Sequence, residues 1–144
     1  MKGAAIRRFV LDASVAVAWC FEDETTRDTE ATLELLSKGA EGLTPAIWPM
    51  EVANALLMAE RRKRITNSQL TDLLTRIADL PILVEPVQIR DAFEQVLPVA
   101  RRSSLSQYDA AYVELAIRQS LPLATLDREL RRAAKRSGIS FLIE

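Results

Sequence analysis

Short apolar segments alternate with helical patterns along this chain, and the alternation constrains its fold more than any other feature. The segments are apolar through most of their length, which is typical of strands that are covered on both faces. Strands separated by helices predict a three-layer α/β/α sandwich with a central parallel sheet of about five strands. The expected strands are residues 9–11, 43–44, 82–84, 121–126 and 139–143.

The helical patterns between these segments have recognisable ends. Residues from Trp48 onward have helical spacing, with Pro49 in the first turn, where proline is tolerated. Ser106 is suited to cap a helix that runs to about Gln119. Thr25 with Asp28 resembles a capping box, and Pro98 predicts a kink or a stop.

Length and hydropathy indicate one compact domain spanning residues 1–144. No apolar stretch reaches the roughly 18 residues that a membrane-spanning helix needs. The basic start, residues 1–8, leads into an apolar run that Asp12 interrupts, and no small-residue cleavage site follows it. We therefore expect a cytoplasmic protein that does not associate with a membrane.

Composition restricts the chemistry that this chain can perform. Histidine is absent and Cys20 is the one cysteine, so no Ser-His-Asp triad, Cys-His pair, His/Cys zinc site or internal disulfide can form. The net charge of −1 comes from 19 basic and 20 acidic side chains, so nucleic-acid binding would require local patches. Any reaction must use carboxylates, hydroxyls, amides, lysines and arginines, with or without a metal that accepts oxygen ligands.

Two acidic residues come directly after predicted strands. Asp12 follows residues 9–11, and Asp127 follows residues 123–126. Because the carboxyl ends of parallel strands meet at one edge of a sheet, where ligands bind, these two carboxylates are expected to lie together. Glu51, in the first turn of its helix, and Asp109, three residues after Ser106, are the other two candidates.

Each of the four acids also has a purely structural explanation. Asp12 and Asp127 are favoured helix caps, Asp109 completes a capping-box pattern with Ser106, and Glu51 complements a helix dipole. Against this, Asp12 lies in an otherwise uncharged segment, residues 9–21. An unpaired buried carboxylate costs several kcal/mol, so serine or threonine would cap such a helix better.

Clustered carboxylates would favour a divalent cation. Two carboxylates about 4 Å apart repel by roughly 4 kcal/mol at an effective dielectric near 20, and a divalent ion reverses the sign of this interaction. An all-oxygen site matches Mg²⁺ or Mn²⁺. Three polar residues near the acids are candidates to hold a metal-bound water or a phosphate oxygen, with ordinary turn or cap hydrogen bonding as the alternative: Ser14, Asn54 and Thr125.

Four segments of the chain resemble, in order, the motifs of the PIN-domain family, and most closely those of VapC-type toxins of bacterial toxin–antitoxin pairs. They are residues 10–14 (VLDAS), 48–56 (WPMEVANAL), 105–110 (LSQYDA) and 123–127 (LATLD). The resemblance implies a Mg²⁺- or Mn²⁺-dependent endoribonuclease that forms a homodimer and is inhibited by a cognate antitoxin. It also implies that the metal is held by the four acids, Asp12, Glu51, Asp109 and Asp127.

Several basic and aromatic residues are candidates for contact with an RNA substrate, with solvated helix faces or core packing as the alternative. The basic candidates are Arg61–Arg64, Arg101–Arg102, Arg131–Arg132 and Lys135–Arg136, and the aromatic candidates are Trp19, Trp48 and Tyr108. Two other functions stay open from the residues alone. One is a phosphoacceptor or phosphotransferase domain that uses Asp12 as nucleophile. The other is an inactive PIN-like interaction module in which the acids only cap helices.

Overall fold

The computed structural model of the protein describes residues 5–143, so the first four residues of the basic start and Glu144 lie outside it. Within this range no helix is long and apolar enough to cross a bilayer. The strands and helices, in chain order, are β1 Arg8–Leu11, α1 Ala13–Trp19, α2 Arg27–Ser37, β2 Glu41–Pro45, α3 Trp48–Arg61, α4 Asn67–Ala78, β3 Ile82–Glu85, α5 Ile89–Asp91, a π-helical segment Ala92–Val96, α6 Leu97–Ser103, α7 Gln107–Gln119, β4 Leu123–Ala124 and α8 Arg128–Arg136.

The sheet is parallel throughout, with the strand order β3-β2-β1-β4. The chain moves from β1 to β2 to β3 in one direction and then returns to the other side of β1. Right-handed connections therefore place α1 to α4 on one face and α5 to α7 on the other. The packing agrees, since α1 contacts α2 and α3, whereas α7 contacts β1, β2 and β4. The predicted three-layer sandwich is confirmed.

The expected fifth strand, residues 139–143, is wrong. Only one parallel bridge, between Leu123 and Phe141, joins this segment to the sheet. The Leu123 N–H donates to the carbonyl of Ser140 at 2.9 Å, and the Leu142 N–H donates to the carbonyl of Leu123 at 3.0 Å. The pairing stops there because β4 has only two residues, far fewer than the predicted 121–126. The next residues leave the sheet to enter α8, so the sheet that residues 5–143 form has four strands.

Two helix boundaries differ from the expectation for local reasons. The capping box uses Thr26 and Thr29, since each backbone N–H donates to the other side chain at 2.9–3.2 Å. Thr25 instead donates its hydroxyl to two carbonyls of the preceding turn. Pro98 lies in the first turn of α6, directly after the π-helical segment. Proline has no N–H to donate to the carbonyl of Glu94, and it is tolerated here because it lies in the first turn of a helix.

The buried strand β1 leads directly into the edge where ligands bind in sheets of this type. Phe9, Val10 and Leu11 are fully buried, and the next backbone N–H, that of Asp12, donates to the carbonyl of Ala124 at 3.0 Å. The carboxyl ends of β1 and β4 therefore lie side by side, where the winding of the sheet reverses direction. Open α/β sheets bind ligands at such a switch point.

Candidate active site

Asp12 is a buried carboxylate held by two hydroxyl groups from different parts of the chain. Its side chain is 6% exposed. Its Oδ2 accepts hydrogen bonds from Ser14 Oγ at 2.6 Å and from Thr125 Oγ1 at 2.7 Å. Asp12 precedes α1 in extended conformation, but among the described residues its side chain makes no capping hydrogen bond. Helix capping therefore does not explain why a carboxylate stands here.

Backbone groups at the end of β4 orient both hydroxyls. The Leu126 N–H donates to Ser14 Oγ at 3.0 Å, and the Asp127 N–H donates to Thr125 Oγ1 at 3.0 Å. Each hydroxyl accepts from an amide and donates to Asp12, and hydrogen bonds in such chains strengthen one another. The predicted residues Ser14 and Thr125 thus fix the orientation of the Asp12 carboxylate.

The environment of Asp12 disfavours its charge. Burial raises the pKa of Asp12 above its ordinary value, and the charge of Asp127 raises it further. The hydrogen bonds from Ser14 and Thr125 act in the opposite direction but do not cancel the effect of burial on this pKa. A nearby cation would favour the charged form of Asp12, because its positive charge would offset the cost of burying the carboxylate.

Glu51 lies in the first turn of α3 and is half-buried. Its Oε1 accepts a hydrogen bond of 2.6 Å from the hydroxyl of Tyr112, a fully buried residue of α7. Burial raises the pKa of Glu51, the Tyr112 hydrogen bond lowers it, and the charges of Asp12 and Asp109 raise it. Tyr112 was not expected from the sequence. The one sequence feature that could have indicated a role for Tyr112 is its position three residues after Asp109, because residues at this spacing are neighbours on a helix.

Asp109 and Asp127 both lie at helix starts. Ser106 caps α7 by accepting a hydrogen bond from the Asp109 N–H at 3.1 Å. Burial raises the pKa of Asp109, and the charges of Asp127 and Asp12 raise it further. Asp127 caps α8 through Oδ1, which accepts from the Leu130 N–H at 3.0 Å. The capping explanation is therefore correct for Asp127, and its charge still acts on the other acids.

The four acids influence one another, and none of them forms an ion pair with a basic side chain of residues 5–143. Every ion pair among residues 5–143 involves other acids, such as Glu41 with Arg8 and Asp23 with Arg64. The same residues contain no group of three or more acidic side chains already close enough to hold a metal ion. The donor chemistry nevertheless fits a hard divalent cation, because it consists of carboxylate and hydroxyl oxygens only.

A groove of about 430 Å³ has Ser14, Glu51 and Leu126 in its walls, and Glu51 is the member of the four acids that lines it. Asn54, the third predicted polar residue, lies outside the groove wall and is exposed on α3. Within the described range it makes no hydrogen bond to an acid, so its role stays a prediction.

The basic candidates differ in how they are held. Arg64 pairs with Asp23 at 3.1 Å and stacks 4.2 Å over Phe21. Arg131 stacks 4.6 Å over Phe141 and donates to a carbonyl near the C-terminus. These two arginines stabilise the fold.

The other basic candidates are exposed and form no ion pair with another residue in the range 5–143: Arg61, Arg62, Lys63, Arg101, Arg102, Arg132, Lys135 and Arg136. Among these, Arg101 and Arg102 lie in the last turn of α6, a few residues before the α7 start that carries Asp109.

The aromatic candidates lie away from the groove. Trp48 is buried, and Trp19 donates its indole N–H to the carbonyl of Thr29 at 2.7 Å. Tyr108 is 62% exposed but lines a second cavity on another side of α7.

The fold and the site define an α/β protein with an acidic, all-oxygen site at the switch point of a parallel sheet. The model of the PIN domain family matches residues 9–136, and the chain belongs to this family. The resemblance found in the sequence is thus confirmed.

Individual relatives agree with this assignment. Ribonuclease VapC3 of Pyrobaculum aerophilum is 27% identical over 123 residues, covering 85% of this chain and 92% of the relative. The crystal structure of PAE2754 from Pyrobaculum aerophilum has a TM-score of 0.71 at 24% identity, covering 96% of this chain and 85% of that one. A toxin-antitoxin complex from Klebsiella pneumoniae has a TM-score of 0.63 at 17% identity, covering 94% and 98%. The two structures show a shared fold.

Proposed function

We propose that the protein is a metal-dependent endoribonuclease that acts as the toxin of a toxin–antitoxin pair. The observation that carries the proposal is Asp12, a buried carboxylate that two hydroxyls orient and that has no cationic partner among residues 5–143. Membership of the PIN domain family and the similarity to a protein named ribonuclease support the same function.

In this proposal Asp12, Glu51, Asp109 and Asp127 hold Mg²⁺ or Mn²⁺ through carboxylate oxygens. Such an ion, when bound, supplies an acidified water and positive charge for the leaving oxygen of a phosphodiester. Ser14 and Thr125 keep the Asp12 carboxylate in one orientation. The chain has no histidine, and this chemistry requires none.

The groove next to Ser14 and Glu51 is the proposed place for the RNA backbone. We assign phosphate contact to Arg101 and Arg102, because both are exposed near the start of α7 while Arg64 and Arg131 are engaged within the fold. Arginine side chains suit phosphate binding through their planar donor geometry.

Two protein partners belong to the proposal. A cognate antitoxin would inhibit the enzyme by covering the groove, in keeping with the similarity to a toxin-antitoxin complex. A second copy of the chain would pack against the edge strand β3 and the segment after it, where large apolar side chains are exposed to the extent of 50–77%: Leu83, Val87, Ile89 and Phe93. Exposed apolar patches of this kind mark protein interfaces. Sedimentation of wild type and Phe93→Glu would test the homodimer, which is expected to dissociate in the variant.

The principal experiment is RNA cleavage by the purified protein with Mn²⁺, compared with Asp12→Asn and Asp109→Asn. Both variants are expected to lose cleavage while melting at temperatures close to or above that of the wild type. Equal cleavage by all three proteins would contradict the metal site. A stable aspartyl phosphate on Asp12 after incubation with a small phosphodonor would instead favour the phosphotransferase alternative.

A further inference from the structure

Tyr112 places a buried hydroxyl directly on one of the proposed metal ligands. The residue is fully buried in α7, and its hydroxyl donates to Oε1 of Glu51, 61 positions earlier, at 2.6 Å. No other residue in the range 5–143 hydrogen-bonds to the Glu51 carboxylate. One oxygen of Glu51 is therefore held, and Oε2 has no described partner.

A glutamate side chain has three rotatable bonds, so an unrestrained carboxylate samples many positions. A buried tyrosine ring is restrained by the packing around it, and a short hydrogen bond to a charged acceptor is stronger than one between neutral groups. The hydrogen bond from the buried Tyr112 therefore restricts the positions that the Glu51 carboxylate can adopt. Ser14 and Thr125 act on Asp12 in the same manner, since both bind one oxygen of that carboxylate.

We propose that Tyr112 is a positioning residue that holds Glu51 in the orientation required to bind the divalent cation. This inference rests on the proposed function, because it concerns the same metal site. Tyr112 contacts Glu51 through Oε1, so Oε2 would remain available to a cation. Its hydroxyl takes no part in the chemical step.

A purely structural role is the competing explanation, because a buried tyrosine hydroxyl requires an acceptor in any protein. In that case Glu51 would only provide the acceptor for the Tyr112 hydroxyl. Removal of this hydroxyl would then change the stability of the fold and leave metal affinity unchanged. Metal affinity distinguishes the two roles, because only the positioning role connects the hydroxyl to the cation.

Tyr112→Phe removes the hydroxyl and keeps the buried ring. We expect Mn²⁺ binding, measured by calorimetry on the full chain, to weaken by about tenfold or more, the usual effect of losing a hydrogen bond to a metal ligand. Turnover of RNA at saturation should fall, with little change in KM. The matched control is Tyr108→Phe, the same chemical change on the same helix at a side chain that is 62% exposed. The control should bind Mn²⁺ like the wild type.

A double-mutant cycle with Glu51→Gln tests whether Tyr112 acts through Glu51. Tyr112→Phe should have no further effect on Mn²⁺ affinity in the Glu51→Gln background. Wild-type affinity in Tyr112→Phe, or an equal loss in both backgrounds, would overturn the inference, and a lower melting temperature with unchanged affinity would do the same. These results leave the nuclease assignment intact. A wild-type protein that neither binds Mn²⁺ nor cleaves RNA would instead refute the proposed function itself.

Discussion

The acidic side chains on the two sides of helix α7 differ in whether they are paired with a basic side chain. Towards the candidate active site the helix presents Asp109 and the Tyr112 hydroxyl. Its other side, beside a cavity of about 480 Å³, carries Glu114 and Arg118. There Arg118 donates to Glu114 at 2.8 Å and pairs with Glu85 at 2.7 Å. The acids beside the cavity thus have a cationic partner, whereas those of the candidate site have none among residues 5–143.

This difference separates acids that are paired with an arginine from acids that we propose to bind a cation. Glu114 and Glu85 each have a counter-charge in Arg118. Asp12, Glu51 and Asp109 have pKa values raised by burial and by neighbouring negative charges. Titratable groups with perturbed pKa values are found at functional sites more often than elsewhere on a protein.

The largest expected effect compares the two sides of α7 directly. Asp109→Asn should lower RNA cleavage with Mn²⁺ by about a thousandfold, because loss of a ligand removes several kcal/mol of transition-state stabilisation. Glu114→Gln should leave cleavage nearly unchanged and reduce the free energy of unfolding by about 1 kcal/mol, the range for a partly exposed ion pair. Cleavage rates of both variants measure the effect on activity, and their thermal melts measure the effect on stability. Similar loss of activity in both would remove the distinction between the two regions.

Metal binding should stabilise the protein through the candidate site only. At a Mn²⁺ concentration one hundred times Kd, the free energy of unfolding should rise by about 2.7 kcal/mol, which corresponds to roughly 5–10 °C in melting temperature. Asp12→Asn should show no such rise, and Glu114→Gln should behave like the wild type. Differential scanning fluorimetry with and without EDTA provides the measurement. An equal shift in all three proteins would indicate binding elsewhere.

A smaller effect concerns the hydroxyls that hold Asp12. Thr125→Val removes the donor to Asp12 Oδ2 and should reduce Mn²⁺ affinity or cleavage by about tenfold. The control is Thr44→Val, because Thr44 is equally buried and its hydroxyl has no described partner. Replacing an unpaired buried hydroxyl by a methyl group should be neutral or stabilising. The assignment of Thr125 fails if the two variants have the same activity.

The smallest effect is the pH dependence of stability in the metal-free protein. Because folding raises the pKa values of Asp12, Glu51 and Asp109, the folded state binds protons more tightly than the unfolded state. The free energy of unfolding should therefore rise as pH falls towards the unfolded values of 3.8 and 4.5. Denaturant melts in EDTA between neutral and mildly acidic pH measure this slope. Asp12→Asn should flatten it, and a steeper slope in that variant would contradict the assignment.

Local patterns explain which parts of the fold could be predicted. The helix from Trp48 and the helix capped by Ser106 were predicted correctly, because periodicity and caps depend on neighbours within one or two turns. The strand at residues 139–143 was wrong because strand formation needs a partner, and β4 offers it only Leu123. Thr25 and Thr26 are the same residue type, so both are suited to cap a helix. Thr26 is the cap because the hydroxyl of Thr25 is already bonded to carbonyls of the preceding turn.

The amino-acid sequence alone determined the alternating α/β order, the exclusion of histidine chemistry and of an internal disulfide, and the four candidate acids, because residue identity and short-range spacing carry this information. Only the tertiary structure decided how those acids are held. Thr125 reaches Asp12 across 113 positions, and Tyr112 reaches Glu51 across 61. Such contacts depend on the order of strands in the sheet and on the packing of α7 against it. The sheet topology brings the ends of β1 and β4, which carry Asp12 and Asp127, to one edge, and no arginine or lysine among residues 5–143 forms an ion pair with either acid.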